Sequence, residues 1–294
     1  MRDTFSTLHP IIIFTYFIGV IAVSIITMHP ILLILSLACS AVYSVYLNRL
    51  KTLKFFLFLL PVFLFITLIN PLFNHTGNTI LLYISGNPIT LEALVYGLFS
   101  AVALLSVILW FSCYNVVMTT EKFIFLFERI IPSLSLIFSM ILRLVPKYNQ
   151  QIKIIGNAQK GIGRDPSRGS LSARIKNGLA ILSILVTWSL ENAISTSDSM
   201  RARGYGTGKR TSFARFRFDA RDALILGAML LLFATIIAGA LGGLYTVNYF
   251  PVIKIDLVSP LSFLVYAAHT LLFLLPMLIN IQEELKWRRL KSKI

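Results

Sequence analysis

The sequence predicts an all-α membrane protein that crosses the bilayer about six times and carries two long helices on its cytoplasmic face. Three observations predict this fold class. The 294 residues are 56% hydrophobic and only 13% charged, whereas soluble domains carry about a quarter charged residues. Apolar runs that are long enough to span a bilayer recur along the chain. Lysine and arginine are concentrated in alternate connecting segments, as in polytopic membrane proteins.

Six apolar runs are the predicted spans, and none of them contains Asp, Glu, Lys or Arg. They cover residues 11–28, 31–47, 55–69, 93–118, 223–243 and 261–281. His29-Pro30 forms a tight turn between the first two runs, and a polar segment, 70–92, separates the third from the fourth. The first run has no small-residue cleavage site after it, so we expect it to be retained as a span.

The basic residues predict the orientation of the chain. If both termini are cytoplasmic, segments 1–10, 48–54, 119–222 and 282–294 lie inside and hold 26 of the 27 Lys and Arg residues. Lys254 is the exception. The net charge of +15 then belongs to a cytoplasmic face next to anionic lipid, so no nucleic-acid partner is predicted. Segments 1–118 and 223–294 form the predicted membrane regions around a cytoplasmic region, 119–222.

The cytoplasmic region is too long to be a loop without structure of its own, and it predicts two helices. The first, over about 133–160, has an apolar stripe at spacings of three and four residues, formed by Ile141, Val145, Tyr148, Ile152 and Ile155. The second, over about 175–203, has an apolar residue at every fourth position, namely Leu182, Val186, Leu190 and Ile194. The apolar part of the second helix is too short to cross a bilayer. Both helices are therefore expected on the cytoplasmic face, joined by loop 161–172.

The end of the second helix carries the most informative motif, Ala202-Arg203-Gly204. Gly204 suits the left-handed position just past a helix end, and Ala202 leaves room for another surface to approach. Arg203 can offer its planar guanidinium to a carboxylate. The simpler alternative is a capped helix end at the membrane surface.

The string 200–211 resembles the signature of the transmembrane T component of energy-coupling factor (ECF) transporters, a family that includes the Q subunit of cobalt importers. Ile131-Pro132, the run 143–146 and Ala158-Gln159-Lys160 resemble neighbouring parts of the same family, so the resemblance covers residues 121–211. It implies that each long helix ends in an Ala-Arg-Gly-like motif that docks on one of two cytosolic ATPase subunits. It also implies a separate substrate-binding membrane partner, the S component.

The first motif departs from the family pattern. After Gln159-Lys160 the chain reads Gly161-Ile162-Gly163, so glycine replaces the alanine and isoleucine replaces the arginine. Arg164 follows two residues later as a candidate replacement for the missing cation. By resemblance, the second motif is Ala202, Arg203 and Gly204, and the degenerate first motif comprises Ala158, Gln159, Gly161, Ile162, Gly163 and Arg164.

Other chemistry is not supported by the sequence. The stretch from Gly204 to Lys209 lacks the first glycine of a phosphate loop, because position 203 is arginine, and Arg210 stands where serine or threonine is needed. The four histidines and two cysteines form no metal-binding pattern, and we expect His269 to be a hydrogen-bonded interior residue. No cofactor or metal is therefore predicted. The uncharged spans argue against ion-driven transport and against intramembrane proteolysis.

The favoured hypothesis is a non-enzymatic coupling subunit of an ATP-driven importer in the cell membrane, with a vitamin or a metal ion as cargo. One alternative is a self-contained secondary transporter with a structured cytoplasmic loop. Another is a membrane-embedded enzyme. Copurification with ATPase subunits would separate the first two hypotheses, and activity of the isolated chain would favour the third.

Overall fold

Helices dominate the computed structural model, which describes residues 3–84, 86–128, 132–207, 216–255 and 260–291. In chain order the described helices are α1 (Pro10–Ile26), α2 (Pro30–Asn48), α3 (Leu50–Phe73), α4 (Leu91–Val117), α5 (Thr120–Glu128), α6 (Pro132–Gly161), α7 (Leu171–Ala202), α8 (Ala220–Leu241) and α9 (Pro260–Lys291). Two antiparallel hairpins pair β1 (Ile80–Ile84) with β2 (Asn87–Thr90) and β3 (Val247–Asn248) with β4 (Lys254–Ile255). The predicted all-α membrane class is confirmed.

The helix bounds follow local signals in the sequence. Pro10 and Pro30 begin α1 and α2, where a residue without an N–H group costs no helical hydrogen bond. α9 continues to Lys291, beyond the predicted end of the last span at 281. Its polar extension is supported by an i,i+4 ion pair in which Arg288 Nη2 lies 2.9 Å from Glu284 Oε1. The segment 70–92, predicted as a polar connection, contains the end of α3, the β1–β2 hairpin and the start of α4.

Six helices are long and apolar enough to cross a membrane, as judged by length and composition: α2, residues 54–73 of α3, α4, α7, α8 and α9. α1 is also apolar but has 17 residues, a length of about 26 Å at 1.5 Å per residue, which is near the lower limit for a span. α7 is the least apolar of the six. Length and composition alone therefore do not separate α7 from a span, and its cytoplasmic position stays a prediction.

The chain divides into two compact units, and the boundaries fall inside α5 and shortly before α8. The first unit contains residues 1–123 and 216–294, and the second contains residues 124–215. In the first unit α4 packs against α1, α2 and α3, while α9 packs against α2 and α8. α4 is thus the central helix of this unit.

An aromatic cluster surrounds Trp110 of α4, which is fully buried. The Trp110 ring lies 6.1 Å from those of Tyr16 and Phe273, measured between centroids. Its indole Nε1–H donates to Ser36 Oγ over 3.1 Å. Small residues bring other helices together: a methyl group at Gly19 of α1 would overlap the ring of Phe233 in α8. Such close approaches are the usual way in which membrane helices associate.

Candidate functional site

The second unit is built on the contact between α6 and α7, and the described contact is polar and aromatic. The rings of Tyr148 on α6 and Trp188 on α7 meet edge to face, with centroids 5.6 Å apart. Lys147 Nζ donates to Asn192 Oδ1 over 2.8 Å and lies 5.1 Å from the centroid of the Trp188 ring. These side chains fix where the two helices cross.

The C-terminus of α7 ends in a Schellman motif formed by the candidate second motif. Gly204 has a φ of 79°, a left-handed conformation that glycine adopts without steric cost. The Gly204 N–H donates to the Arg201 carbonyl over 2.9 Å, and the Tyr205 N–H donates to the Met200 carbonyl over 3.0 Å. The expected position of Gly204 just past the helix end is confirmed.

The C-terminus of α6 repeats this geometry in the candidate first motif. Gly163 has a φ of 80°. Its N–H donates to the Lys160 carbonyl over 3.0 Å, and the Arg164 N–H donates to the Gln159 carbonyl over 2.9 Å. Both helices therefore end in the same pair of backbone hydrogen bonds, although their side chains differ.

The matching hydrogen bonds align the two ends residue by residue. Ile162 occupies the position of Arg203 as the C-cap residue between the helix end and the left-handed glycine, and it is 64% exposed. Arg164 takes the position of Tyr205, one residue after the left-handed glycine, so the backbone does not place its cation where Arg203 stands. Within the described part of the chain, no ion pair or hydrogen bond involves the Arg203 guanidinium. The exposed end of α7 thus presents a free cation, whereas the exposed end of α6 presents an aliphatic side chain.

The loop after α6 is held in a defined conformation. The Asp165 carboxylate accepts hydrogen bonds from the Ser167 N–H over 2.9 Å and from Ser167 Oγ over 2.6 Å. The hydrogen bond from the Ser167 side chain, and then that from its backbone, lower the pKa of Asp165. The Asp165 carbonyl accepts from Asn177 Nδ2 over 3.2 Å, which ties the loop to the first turns of α7. The side-chain oxygen Oε1 of Gln159 is buried and has no hydrogen-bond partner among the described residues. It is an unused acceptor within the first motif.

A cleft of about 510 Å³ lies between the first half of α6 and the second half of α7. Leu136, Met140 and Leu144 form its apolar wall on α6, and Met200 and Tyr205 close it at the end of α7. The C-terminus of α7 therefore lies beside the beginning of α6. The two capped ends are at opposite ends of the helix pair, roughly 40 Å apart along α6 at 1.5 Å per residue.

The predicted apolar stripe of α7 does not pack in the second unit. Its four members are 48–66% exposed, and none of the residues of α7 is buried. On α6 the predicted stripe is divided, since Ile155 is buried while Ile141, Val145 and Ile152 are exposed. Sequence reasoning missed the contact made by Trp188 and Asn192, which are four residues apart on a different face of α7. A tryptophan followed one helical turn later by asparagine was the available signal.

The histidine and acidic side chains of the described residues do not cluster. They contain no group of three or more His, Cys, Asp or Glu side chains that could hold a metal ion. His269 is buried in α9, and its Nδ1 lies 2.8 Å from the Val265 carbonyl oxygen, as expected for a hydrogen-bonded interior histidine. Ile131 and the stretch 208–211, which belong to the sequence resemblance, lie outside the described residues.

Comparison with known proteins agrees with the sequence resemblance. The family model described as "Cobalt transport protein" matches residues 8–213. The energy-coupling factor transporter transmembrane protein EcfT of Staphylococcus aureus is 26% identical over 181 residues, which are 57% of this chain and 68% of that protein. EcfT of Bacillus selenitireducens is 33% identical over 122 residues, or 40% of this chain and 46% of that protein. A putative ABC transporter ATP-binding protein of Bifidobacterium longum is 32% identical over 106 residues, or 36% of this chain and 14% of that protein.

Proposed function

Because the chain belongs to the CbiQ and EcfT family of transmembrane components of ECF transporters, we propose that it couples two cytosolic ATPase subunits to a separate substrate-binding membrane subunit. In this mechanism the ATPases bind and hydrolyse ATP, and α6 and α7 take up their movement. The membrane helices pass the movement to the partner, which releases a vitamin or a metal ion inward. The two exposed, identically capped ends of α6 and α7 are the observation that carries the proposal.

The end of α7 supports a docking role through its chemistry. Arg203 stands at a helix C-terminus, and its exposed guanidinium can form two parallel hydrogen bonds to a carboxylate. Ala202 beside it is small, and Gly204 turns the backbone away, so a partner surface can reach the guanidinium without steric conflict. We assign Arg203 to a carboxylate in a groove of one ATPase subunit and the Gly161–Gly163 end to the other subunit.

The exposed apolar stripe of α7 supports a second contact, with the substrate-binding membrane subunit. Leu182, Leu190 and Ile194 are 57%, 61% and 66% exposed. An apolar surface of this extent on a soluble monomer usually marks an interaction site. A membrane-embedded partner would cover it while the two helix ends remain free for the ATPases.

The proposed topology places both termini and the region 119–222 in the cytoplasm, with spans formed by α1, α2, α3, α4, α8 and α9. The concentration of 26 of 27 basic residues in the inside segments supports it. A reporter fused after Ile294 or inserted within 161–172 should be cytoplasmic, and one within 74–88 should be extracytoplasmic. A reporter within 161–172 that is found outside would overturn this topology.

The central experiment is purification of the detergent-solubilised chain from cells that express it together with candidate ATPase subunits. We expect two nucleotide-binding subunits to copurify, and we expect no ATP hydrolysis by the chain alone. Lys176→Glu, an exposed charge reversal in the first turns of α7, is a control that should retain both subunits. Transport by the chain alone would favour a secondary transporter, and catalysis by the chain alone would favour a membrane enzyme.

A further inference from the structure

The β1–β2 hairpin between α3 and α4 exposes an unusual apolar strand. The described side chains of β1, Ile80, Leu81, Leu82 and Tyr83, are 47%, 49%, 66% and 66% exposed. Successive side chains of a strand point to opposite faces. Both faces of β1 are therefore apolar and uncovered.

The exposed apolar side chains of β1 require a surface that shields them from water. β2 packs against α3 and α4, and β1 pairs with β2 in an antiparallel register from Ile80 opposite Thr90 to Ile84 opposite Asn87. β1 is consequently the outer strand of the hairpin. An isolated two-stranded hairpin is marginally stable in water, and an exposed apolar edge strand tends to pair with other chains.

The base of the hairpin is fixed to α4 by a buried polar network. The Glu92 carboxylate, in a side chain that is 3% exposed, accepts hydrogen bonds from the N–H and the Oγ1 hydroxyl of Thr79. Thr90 Oγ1 donates to the Thr76 carbonyl over 2.9 Å, and the Leu91 N–H donates to the Thr79 carbonyl over 2.9 Å. The hairpin thus holds β1 in a set position relative to the first turn of α4.

The surroundings of the hairpin match a bilayer surface. Residues 55–91 contain no Asp, Glu, Lys or Arg, although charged side chains are common in segments that face water. α3 ends next to β2 with exposed apolar side chains, among which Leu68, Leu72 and Phe73 are 60%, 50% and 82% exposed. The exposed apolar side chains of β1 thus follow closely along the chain on those of a helix that is apolar enough to span a membrane.

We propose that strand β1 inserts into the interfacial region of the bilayer, so that lipid is the cover of its apolar side chains. The unpaired backbone edge of β1 limits the depth, because open sheet edges do not occur in the hydrocarbon core. The boundary between headgroups and acyl chains satisfies both requirements, and tyrosine is enriched at that level. The hairpin then acts as an interfacial anchor for the connection between α3 and α4, independently of the proposed coupling function.

The test is spin-label accessibility of the full chain in phosphatidylcholine vesicles without any partner subunit. Cys39 and Cys113, both buried, are replaced by alanine, and single cysteines are introduced as Leu82→Cys and Tyr83→Cys. Leu64→Cys in the middle of α3 is the lipid control, and Asn78→Cys before β1 is the water control. The measured quantity is the ratio of the spin label's collisions with oxygen to its collisions with a water-soluble nickel chelate. We expect this ratio at 82, at 83 or at both to be several-fold higher than at 78 and lower than at 64.

Ratios at both 82 and 83 that equal the ratio at 78 would overturn the proposal. A second arm adds purified substrate-binding subunit to the same vesicles. If 82 and 83 are water-accessible alone and become inaccessible to both reagents only after this addition, a protein surface covers β1 and the lipid proposal is wrong. The ATPase subunits are absent from the experiment, so its outcome is separate from the test of coupling.

Discussion

The C-terminal ends of α6 and α7 have the same backbone and different chemistry. Each closes with a left-handed glycine and the same two backbone hydrogen bonds, but Ile162 stands on α6 where Arg203 stands on α7. Arg164 follows the left-handed glycine of α6, and Tyr205 follows that of α7. The positions of the cation and of the bulky uncharged side chain are therefore reversed between the two ends. The comparison separates the shape of the helix end, which glycine sets at both ends, from the residue before the glycine, to which we assign the proposed docking chemistry.

Charge reversal should distinguish the two ends most strongly. If Arg203 pairs with a partly buried carboxylate, Arg203→Glu should cost roughly 3–5 kcal/mol, or two to four decades in affinity for that ATPase subunit. Ile162→Glu at the equivalent position should weaken docking less, because it disturbs an aliphatic contact. The measurement is ATPase copurification and uptake at matched expression. Full assembly and uptake by Arg203→Glu would show that Arg203 is only a helix-end charge, and a larger defect in Ile162→Glu would reverse the proposed asymmetry.

Weakening the crossing of α6 and α7 tests whether the two ends work as one lever. Trp188→Ala removes the ring contact with Tyr148 and the cation–π contact with Lys147, at a cost of about 1–2 kcal/mol. We expect both ATPase subunits to copurify while uptake falls, because docking remains and transmission between the helices is weaker. Trp287→Ala, at an exposed site on α9, is the control. Unchanged uptake in Trp188→Ala would mean that the crossing does not transmit the movement.

Glycine replacement should affect the two ends similarly, in contrast to the charge reversals, although a methyl group at Gly204 would also lie 3.3 Å from Thr207 Oγ1. Gly163→Ala and Gly204→Ala each force alanine into a left-handed conformation, which costs about 1 kcal/mol. Gly178→Ala, in the interior of α7 with nothing near the added methyl group, should instead stabilise the helix by about 0.5–1 kcal/mol. Hydrogen exchange of the Arg164 and Tyr205 amides measures the effect at each end. Faster exchange at only one end would show that the caps are not equivalent.

The smallest expected effect is at acidic pH, where only the stability of the loop after α6 should change. Hydrogen bonds from Ser167 lower the pKa of Asp165, so the folded loop favours the charged carboxylate. Its stabilising contribution is complete above the pKa of an unfolded aspartate, about 3.9, and is lost as the pH falls through the lower pKa of the folded loop. Carbon-13 NMR of Asp165 in wild type and in Ser167→Ala measures this, and the variant should titrate at a higher pH. Identical titrations would show that the Ser167 hydroxyl does not lower the pKa of Asp165.

The sequence predicts the capped end of α7 well because its rule is local. A glycine after a basic helix end indicates a left-handed cap, and Gly204 follows that rule. The left-handed cap at Gly163 follows the apolar Ile162 and was not predicted. Pro10 and Pro30 similarly mark the starts of α1 and α2. These features depend on neighbours along the chain, which the sequence displays directly.

Features that depend on packing were not predictable in the same way. The contact of Tyr148 with Trp188 depends on the angle at which two helices cross, and no spacing within one helix reveals it. The β1–β2 hairpin was missed because its apolar strand is short and is flanked by Asn, Gly and Pro, which favour turns. The extension of α9 to Lys291 was missed because charged residues end a hydrophobic run without ending a helix.

The central position of α4 has a consequence for how the protein is made. The first three helices all pack against α4, and translation at 5–20 residues per second leaves roughly 2–9 s between completion of α3 and completion of α4. During that interval α1, α2 and α3 have been synthesised, but the tryptophan-centred surface of α4 on which they assemble has not. Chaperones and quality-control proteases of the membrane therefore have a defined window of access, and a nascent chain arrested after α3 should be degraded much faster than one arrested after α4.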